Sequence, residues 1–191
     1  MCIRDSWNTA TLTTEDADTK PVVDSAGNVY FVGSTNTRMS VNAVNPADGT
    51  GLWSVNINAS ALCNPTLSAD EQTLFVGYEN GVRAFDTTDG SVRWNYNCGE
   101  VQSSQPALSN DGQTLYFGSA DDDLHAINTA DGTGKWTFGT GSRIESAPVV
   151  DSSGAIYFAS TSRNLYKIQD NGATGTQVLS LIHISEPTGP Y

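Results

Sequence analysis

Few side chains in this 191-residue chain are equipped for chemistry. Its two histidines are His125 and His183, its three cysteines are Cys2, Cys63 and Cys98, and its densest acidic run is Asp121-Asp122-Asp123. A histidine offers a general base or metal ligand, a cysteine a nucleophile or soft ligand, and clustered carboxylates an oxygen cage for calcium. Each has a plainer reading. By internal repeat His125 stands where Asn42, Arg83 and Tyr166 stand, a position that accepts any polar or amphipathic side chain and so reads as a strand position near solvent. With no second histidine in the interior of the chain, histidine-based zinc sites and Ser/His/Asp chemistry lack partners. The three aspartates fall in a hairpin where Tyr78-Glu79-Asn80-Gly81 and Thr161-Ser162-Arg163-Asn164 do the same job, so turn chemistry accounts for them. Glu15, Asp16 and Asp18 have still less claim to an ion. On these grounds no catalytic, cofactor or metal residue is assigned.

The cysteines pose a geometric question. Cys63 precedes the first strand of one repeat and Cys98 follows the last strand of the same repeat. Three strand spacings, about 14 Å, separate such points, whereas the Cα atoms of a disulfide sit within about 7 Å. A bridge requires the loop after Tyr96 to curl inward; otherwise both are buried or free thiols.

The elements that position these residues recur at a period of roughly 40 to 45 residues, the mark of propellers and solenoids. Pro21-Val22-Val23-Asp24, Pro65-Thr66-Leu67-Ser68, Pro106-Ala107-Leu108-Ser109 and Pro148-Val149-Val150-Asp151 open four units. Apolar second segments follow at Val29–Gly33, Leu74–Gly77, Leu115–Gly118 and Ile156–Ala159, third segments at Val41–Asn45, Val82–Asp86, Leu124–Asn128 and Leu165–Gln169, and fourth segments centre on Trp53, Trp94 and Trp136. Short β-branched and aromatic runs bounded by Gly, Asn, Asp and Ser are strand signals. Proline opens each first strand, where its missing N–H is tolerated. Gly27, Gly112 and Gly154 sit between first and second strands, where a tight turn needs positive φ. The fold class expected is all-β, with four-stranded antiparallel blades whose continuous apolar second strands are covered on both faces.

Third and fourth strands share a spacing: Ala43, Asn45, Gly49, Trp53; Ala84, Asp86, Gly90, Trp94; Ala126, Asn128, Gly132, Trp136. The pattern resembles the tryptophan-docking motif of PQQ-type β-propeller repeats, found in quinoprotein dehydrogenases and in BamB-type outer-membrane assembly lipoproteins. Physically, Asp or Asn accepts backbone N–H groups two residues on, glycine completes the turn, and the indole supplies a large apolar face for the next blade. The resemblance implies a β-propeller fragment of about four blades from a ring of seven or eight. Units are drawn at 21–63, 64–104, 105–146 and an incomplete 147–178 that lacks a tryptophan, with Trp7 in 7–20 ending a preceding blade. Residues 1–6 and 179–191 are expected to be artefacts, because Met1–Ser6 and Leu179–Ile184 can be encoded by reverse-complementary DNA resembling sequencing adapters. A natural start and a natural apolar last strand are the alternative.

Charge narrows the partners. Nine Lys and Arg face 21 Asp and Glu, for a net charge of −12, which repels phosphate backbones and anionic lipid, so nucleic-acid binding is not expected. No apolar run is long enough to span a bilayer, and membrane insertion is not expected. The resemblance implies an exported module, periplasmic, outer-membrane-associated or extracellular. It is expected to be a non-catalytic scaffold for a protein or polymer partner and the missing blades of its own ring, without a cofactor in this piece. The alternative is a piece of a dehydrogenase using PQQ and calcium, although the adjacent cysteine pair of those enzymes is absent. By topology, the loop face for a partner comprises Tyr78, Glu79, Glu100, Asp121, Asp122, Arg143 and Arg163.

Overall fold

A computed structural model describes residues 19–35, 38–57, 63–101 and 104–182. Trp7, Glu15, Asp16 and Asp18, and with them the expected end of a preceding blade, lie outside the described residues, as do the segments 1–6 and 183–191.

Sixteen strands form four antiparallel sheets of four, each in simple chain order. The first holds β1 (Val22–Val23), β2 (Val29–Thr35), β3 (Arg38–Val44) and β4 (Gly51–Ile57). The second holds β5 (Thr66–Leu67), β6 (Thr73–Tyr78), β7 (Gly81–Asp86) and β8 (Val92–Asn97). The third holds β9 (Ala107–Leu108), β10 (Thr114–Gly118), β11 (Asp123–Asn128) and β12 (Gly134–Gly139). The fourth holds β13 (Val149–Val150), β14 (Ala155–Ala159), β15 (Asn164–Asp170) and β16 (Gly175–Ile182). These are β-propeller blades. First strands of neighbouring blades lie together, β1 with β5 and β9 with β13.

Burial follows from this stacking. Every residue of β6 and β10 is buried, as expected of strands covered on both faces. Phe75, Phe85 and Phe117 are fully buried, each contributing about 2–3 kcal/mol of hydrophobic stabilisation. Turn chemistry agrees with expectation at Gly27, Gly112 and Gly154, all at positive φ. The second blade has Glu71 there at φ 60, and its carboxylate accepts from Ser25 N at 2.9 Å and Ser25 Oγ at 2.6 Å across the seam from the first blade.

Each third-to-fourth strand pairing carries a bulge at the same place. Ala43, Ala84 and Ala126 pair with Trp53, Trp94 and Trp136, but the next residues pair with Gly51, Val92 and Gly134, leaving Leu52, Arg93 and Lys135 unpaired. A bulge re-aims the flanking side chain and sharpens twist, which turns the indole toward the next blade. In the last blade Lys167 pairs with Leu179 and Ile168 with Gln177, so Leu179 takes the tryptophan register. The unit drawn as incomplete at 178 is therefore a full four-stranded sheet. Its last strand, β16, runs on to Ile182, into the segment expected to be an artefact.

Candidate functional site

The tryptophan motif lies at the blade seams. Gly49, Gly90 and Gly132 all hold positive φ and donate their N–H to the carbonyls of Asn45, Asp86 and Asn128 at 2.9 Å. Asn45 and Asp86 accept from the N–H two residues on, Ala47 and Thr88, at 2.8 Å. Asn128 differs from expectation: its amide donates to Thr133 Oγ1 at 2.6 Å, while Asp131 accepts from Thr133 N at 2.9 Å, as Asp48 and Asp89 accept from Thr50 N and Ser91 N in the other two turns. Trp53 Nε1 donates to Thr87 O at 2.8 Å and Trp94 Nε1 to Thr129 O at 3.0 Å, both in the next blade. Gly90 and Gly132 give the indoles room: a Cβ would lie 2.7 Å from Trp53 Cε3 and 2.5 Å from Trp94 Cε3. At the last seam Gly175 lies against Trp136, whose Nε1 donates to Asp170 Oδ1 at 2.9 Å while Tyr116 OH donates to Asp170 Oδ2 at 2.6 Å.

Two clefts open on the face that carries the turns between third and fourth strands. One of about 390 Å³ is lined by Asp70, Thr73, Arg93 and Asp111, the other of about 370 Å³ by Asp111, Thr114, Lys135 and Asp170. Arg93 donates to Thr73 Oγ1 and Asp86, and Lys135 to Thr114 Oγ1. Recurrence of one arrangement at successive seams marks it as architectural.

The seven loop residues lie on the opposite face, in a frame stitched by backbone hydrogen bonds. Ala120 N donates to Glu100 O at 2.9 Å, Thr140 N to Asp122 O at 2.9 Å, and Thr161 N to Arg143 O at 2.8 Å. Asp122 and Arg163 hold left-handed backbones at φ 75 and φ 68. Asp121, Arg143 and Arg163 are exposed, while Glu79, Glu100 and Asp122 are half-buried. Tyr78 is not offered to a partner: it is 8% exposed, and the Arg83 guanidinium covers its ring at 4.9 Å.

The same face brings together residues that looked unconnected in sequence. His125 is 4% exposed, against the expectation of a position near solvent. Its ring stacks on Phe117 at 5.3 Å and meets Tyr96, from the preceding blade, edge-on at 5.6 Å. His125 Nδ1 lies 3.1 Å from Tyr96 OH and Nε2 lies 3.1 Å from both oxygens of Asp121. Burial would raise the Asp121 carboxyl, but His125, Gly99 N and Ser119 hold it below its ordinary value. Cys98 Sγ completes the group, with the ligand atoms of Cys98, Asp121 and His125 all within 4.8 Å of one another. A side chain at Gly99 would press within 2.8 Å of Asp121 N and Ser119 Oγ, so glycine there lets the two blades close.

Over residues 4–191 the chain matches the family model of the outer membrane protein assembly factor BamB. The chain belongs to this family. The crystal structure of BamB from Moraxella catarrhalis superposes on it with a TM-score of 0.61 at 19% identity, over 86% of this chain and 61% of that one. That likeness shows the fold, and the chain spans about 61% of the length of that BamB. No curated protein sequence matches the chain.

Within this BamB-family frame the donor sets can be judged. Calcium beneath a quinone calls for converging oxygen ligands. Instead, Asp48, Asp70, Asp111, Asp131 and Asp151 each accept hydrogen bonds within their own turns. Among the described residues one group of three or more His, Cys, Asp or Glu side chains converges, Cys98, Asp121 and His125, and its thiol and imidazole do not fit an oxygen cage. Cys63 and Cys98 are free thiols. Cys63 has a repeat role: Gly77 N donates to its Sγ at 3.1 Å, as Val32, Gly118 and Ala159 N donate to the hydroxyls of Thr19, Ser104 and Ser146. All four stand two residues before a first-strand proline, a signal that sequence reasoning could have used.

Proposed function

We propose that this BamB-family chain is part of a non-catalytic, exported binding propeller, periplasmic or outer-membrane-associated, that holds a protein or polymer partner on its loop face. The observation that carries this reading is the pair Arg143 and Arg163. Both are exposed in a strongly acidic chain, and their loops are joined by Thr161 N donating to Arg143 O at 2.8 Å. The planar arginine fork loses less freedom per hydrogen bond formed than a lysine does, and arginine is enriched among residues that dominate interface energy. Asp122 and Arg163 in left-handed backbones on the same face fit the tendency of strained residues to collect at working surfaces.

The test uses the complete protein. Arg143→Glu with Arg163→Glu is expected to weaken its association with the outer-membrane assembly machinery by more than about tenfold, a loss of about 1.4 kcal/mol or more, with an unchanged circular dichroism spectrum. Undiminished association removes the loop face from the interface. Dye reduction dependent on added PQQ and calcium overturns the non-catalytic reading.

A further inference from the structure

We propose that Cys98 Sγ, an Asp121 carboxylate oxygen and His125 Nε2 bind a zinc-class divalent cation across the seam between the second and third blades, with water in the fourth position. Cys98 leaves the end of β8 in one blade, while Asp121 and His125 come from the β10–β11 hairpin and β11 of the next. Their ligand atoms lie within 4.8 Å of one another. Ligands around a tetrahedral zinc stand roughly 3.3–3.8 Å apart, so small side-chain rotations complete the shell. A thiolate and a carboxylate neutralise a divalent charge, and the sulfur, nitrogen and oxygen set is one that borderline ions of the zinc class favour.

The surroundings orient the ring as a ligand. Phe117 stacks on His125 with the planes 8° apart, and Tyr96 OH lies 3.1 Å from Nδ1. A metal-bound imidazole donates its other N–H to a fixed acceptor; here the tyrosine oxygen is that acceptor, and Nε2 is aimed at Asp121.

The other blades serve as internal controls. The equivalent position in the fourth blade is Tyr166, which stacks on Phe158 at 5.1 Å with the planes 10° apart and meets Phe138 at 6.0 Å. The stack therefore forms without histidine. The positions matching Cys98 and Asp121 there are Thr140 and Ser162, and Asn42 and Arg83 match His125 in the first two blades. Among the described residues only the third blade's seam gathers a thiol, a carboxylate and an imidazole. The ion would join the end of one blade to the loop of the next. This site stands apart from the partner-binding reading, since either can fail alone.

The experiment uses the 191-residue chain freed of any affinity tag and treated with chelator, then titrated with zinc(II) against a chromophoric competitor and with cobalt(II) as optical probe. One equivalent is expected to bind, the cobalt form to show thiolate-to-metal charge transfer with tetrahedral visible bands, and zinc to raise Tm. Cys98→Ser is expected to abolish the charge-transfer band, and both it and Asp121→Asn to weaken zinc by more than about tenfold. Cys2→Ser and Cys63→Ser are expected to change neither. A cobalt form without charge transfer, or wild-type zinc affinity in both Cys98→Ser and Asp121→Asn with metal-free circular dichroism unchanged, overturns the site.

Discussion

Gly132→Ala tests the seam directly, because the chain contains its own control. Gly132 has φ +71, and a Cβ added there would lie 2.5 Å from Trp94 Cε3 and 2.7 Å from Cδ2. Gly141 has φ +70, and a Cβ there would meet nothing within 4 Å. Placing alanine in a left-handed backbone costs about 1–2 kcal/mol in either case. Only at Gly132 must a ring also move. Trp94 has little freedom to yield: it is 8% exposed, its Nε1 donates to Thr129 O at 3.0 Å, and its ring lies 5.6 Å from Phe75. Overpacking of that kind adds about 1–3 kcal/mol. Gly141→Ala is thus expected to lose about 1–2 kcal/mol and Gly132→Ala about 2–5 kcal/mol, read from urea unfolding followed by tryptophan fluorescence. In a Trp94→Leu background the cost of Gly132→Ala is expected to fall toward that of Gly141→Ala, since the two positions share one contact. Equal losses at the two glycines, or strict additivity with Trp94→Leu, would refute the seating of the indole under the turn.

Acid is expected to weaken the fold in a defined window. Hydrogen bonds from Ser153, Ala155 N and Tyr157 hold the Asp151 carboxyl down at about 2, against 3.8 without them, and Asp48, Asp70, Asp86, Asp111 and Asp131 are lowered too. Because the folded values lie below the unfolded ones, this stabilisation is present above pH about 4 and is lost as pH falls toward about 2. The urea midpoint is expected to drop across that interval; a flat or rising midpoint would mean that relief of the net negative charge outweighs the turn carboxylates. Thiol chemistry gives another readout. Burial pushes Cys63 up to about 12, and burial with the nearby Asp121 charge pushes Cys98 up to about 12. In a background with Cys2→Ser and Cys98→Ser a disulfide reagent at pH 8 is expected to reach buried Cys63 only as the chain unfolds, and rapid labelling of the native protein would contradict that burial.

What the sequence made readable was local punctuation. Prolines opening strands, glycines at positive φ and tryptophans at a fixed offset from Asp or Asn each act within a few residues, and they located the blades. What it hid depends on the neighbouring blade. His125 read as a solvent-side position because its partners are Phe117 across the strand and Tyr96, 29 residues earlier. Cys98 and Asp121 meet through Gly99 N, which donates to Asp121 Oδ2 at 3.3 Å over 22 residues, a closeness no spacing announces. Tyr78 sits in a hairpin yet turns inward beneath Arg83. The last strand was cut at 178 because the residues that follow were read as adapter-encoded, and Leu179 holds the register in which the other blades carry a tryptophan.

The direction of the indole contacts sets the order in which the blades can seat. Among the described residues each indole N–H, of Trp53, Trp94 and Trp136, finds its acceptor later in the chain, 34 or 35 residues on. A chain that emerges N-terminus first presents each of these tryptophans before its seat has arrived. The growing edge of the propeller is therefore always sticky on its newest side.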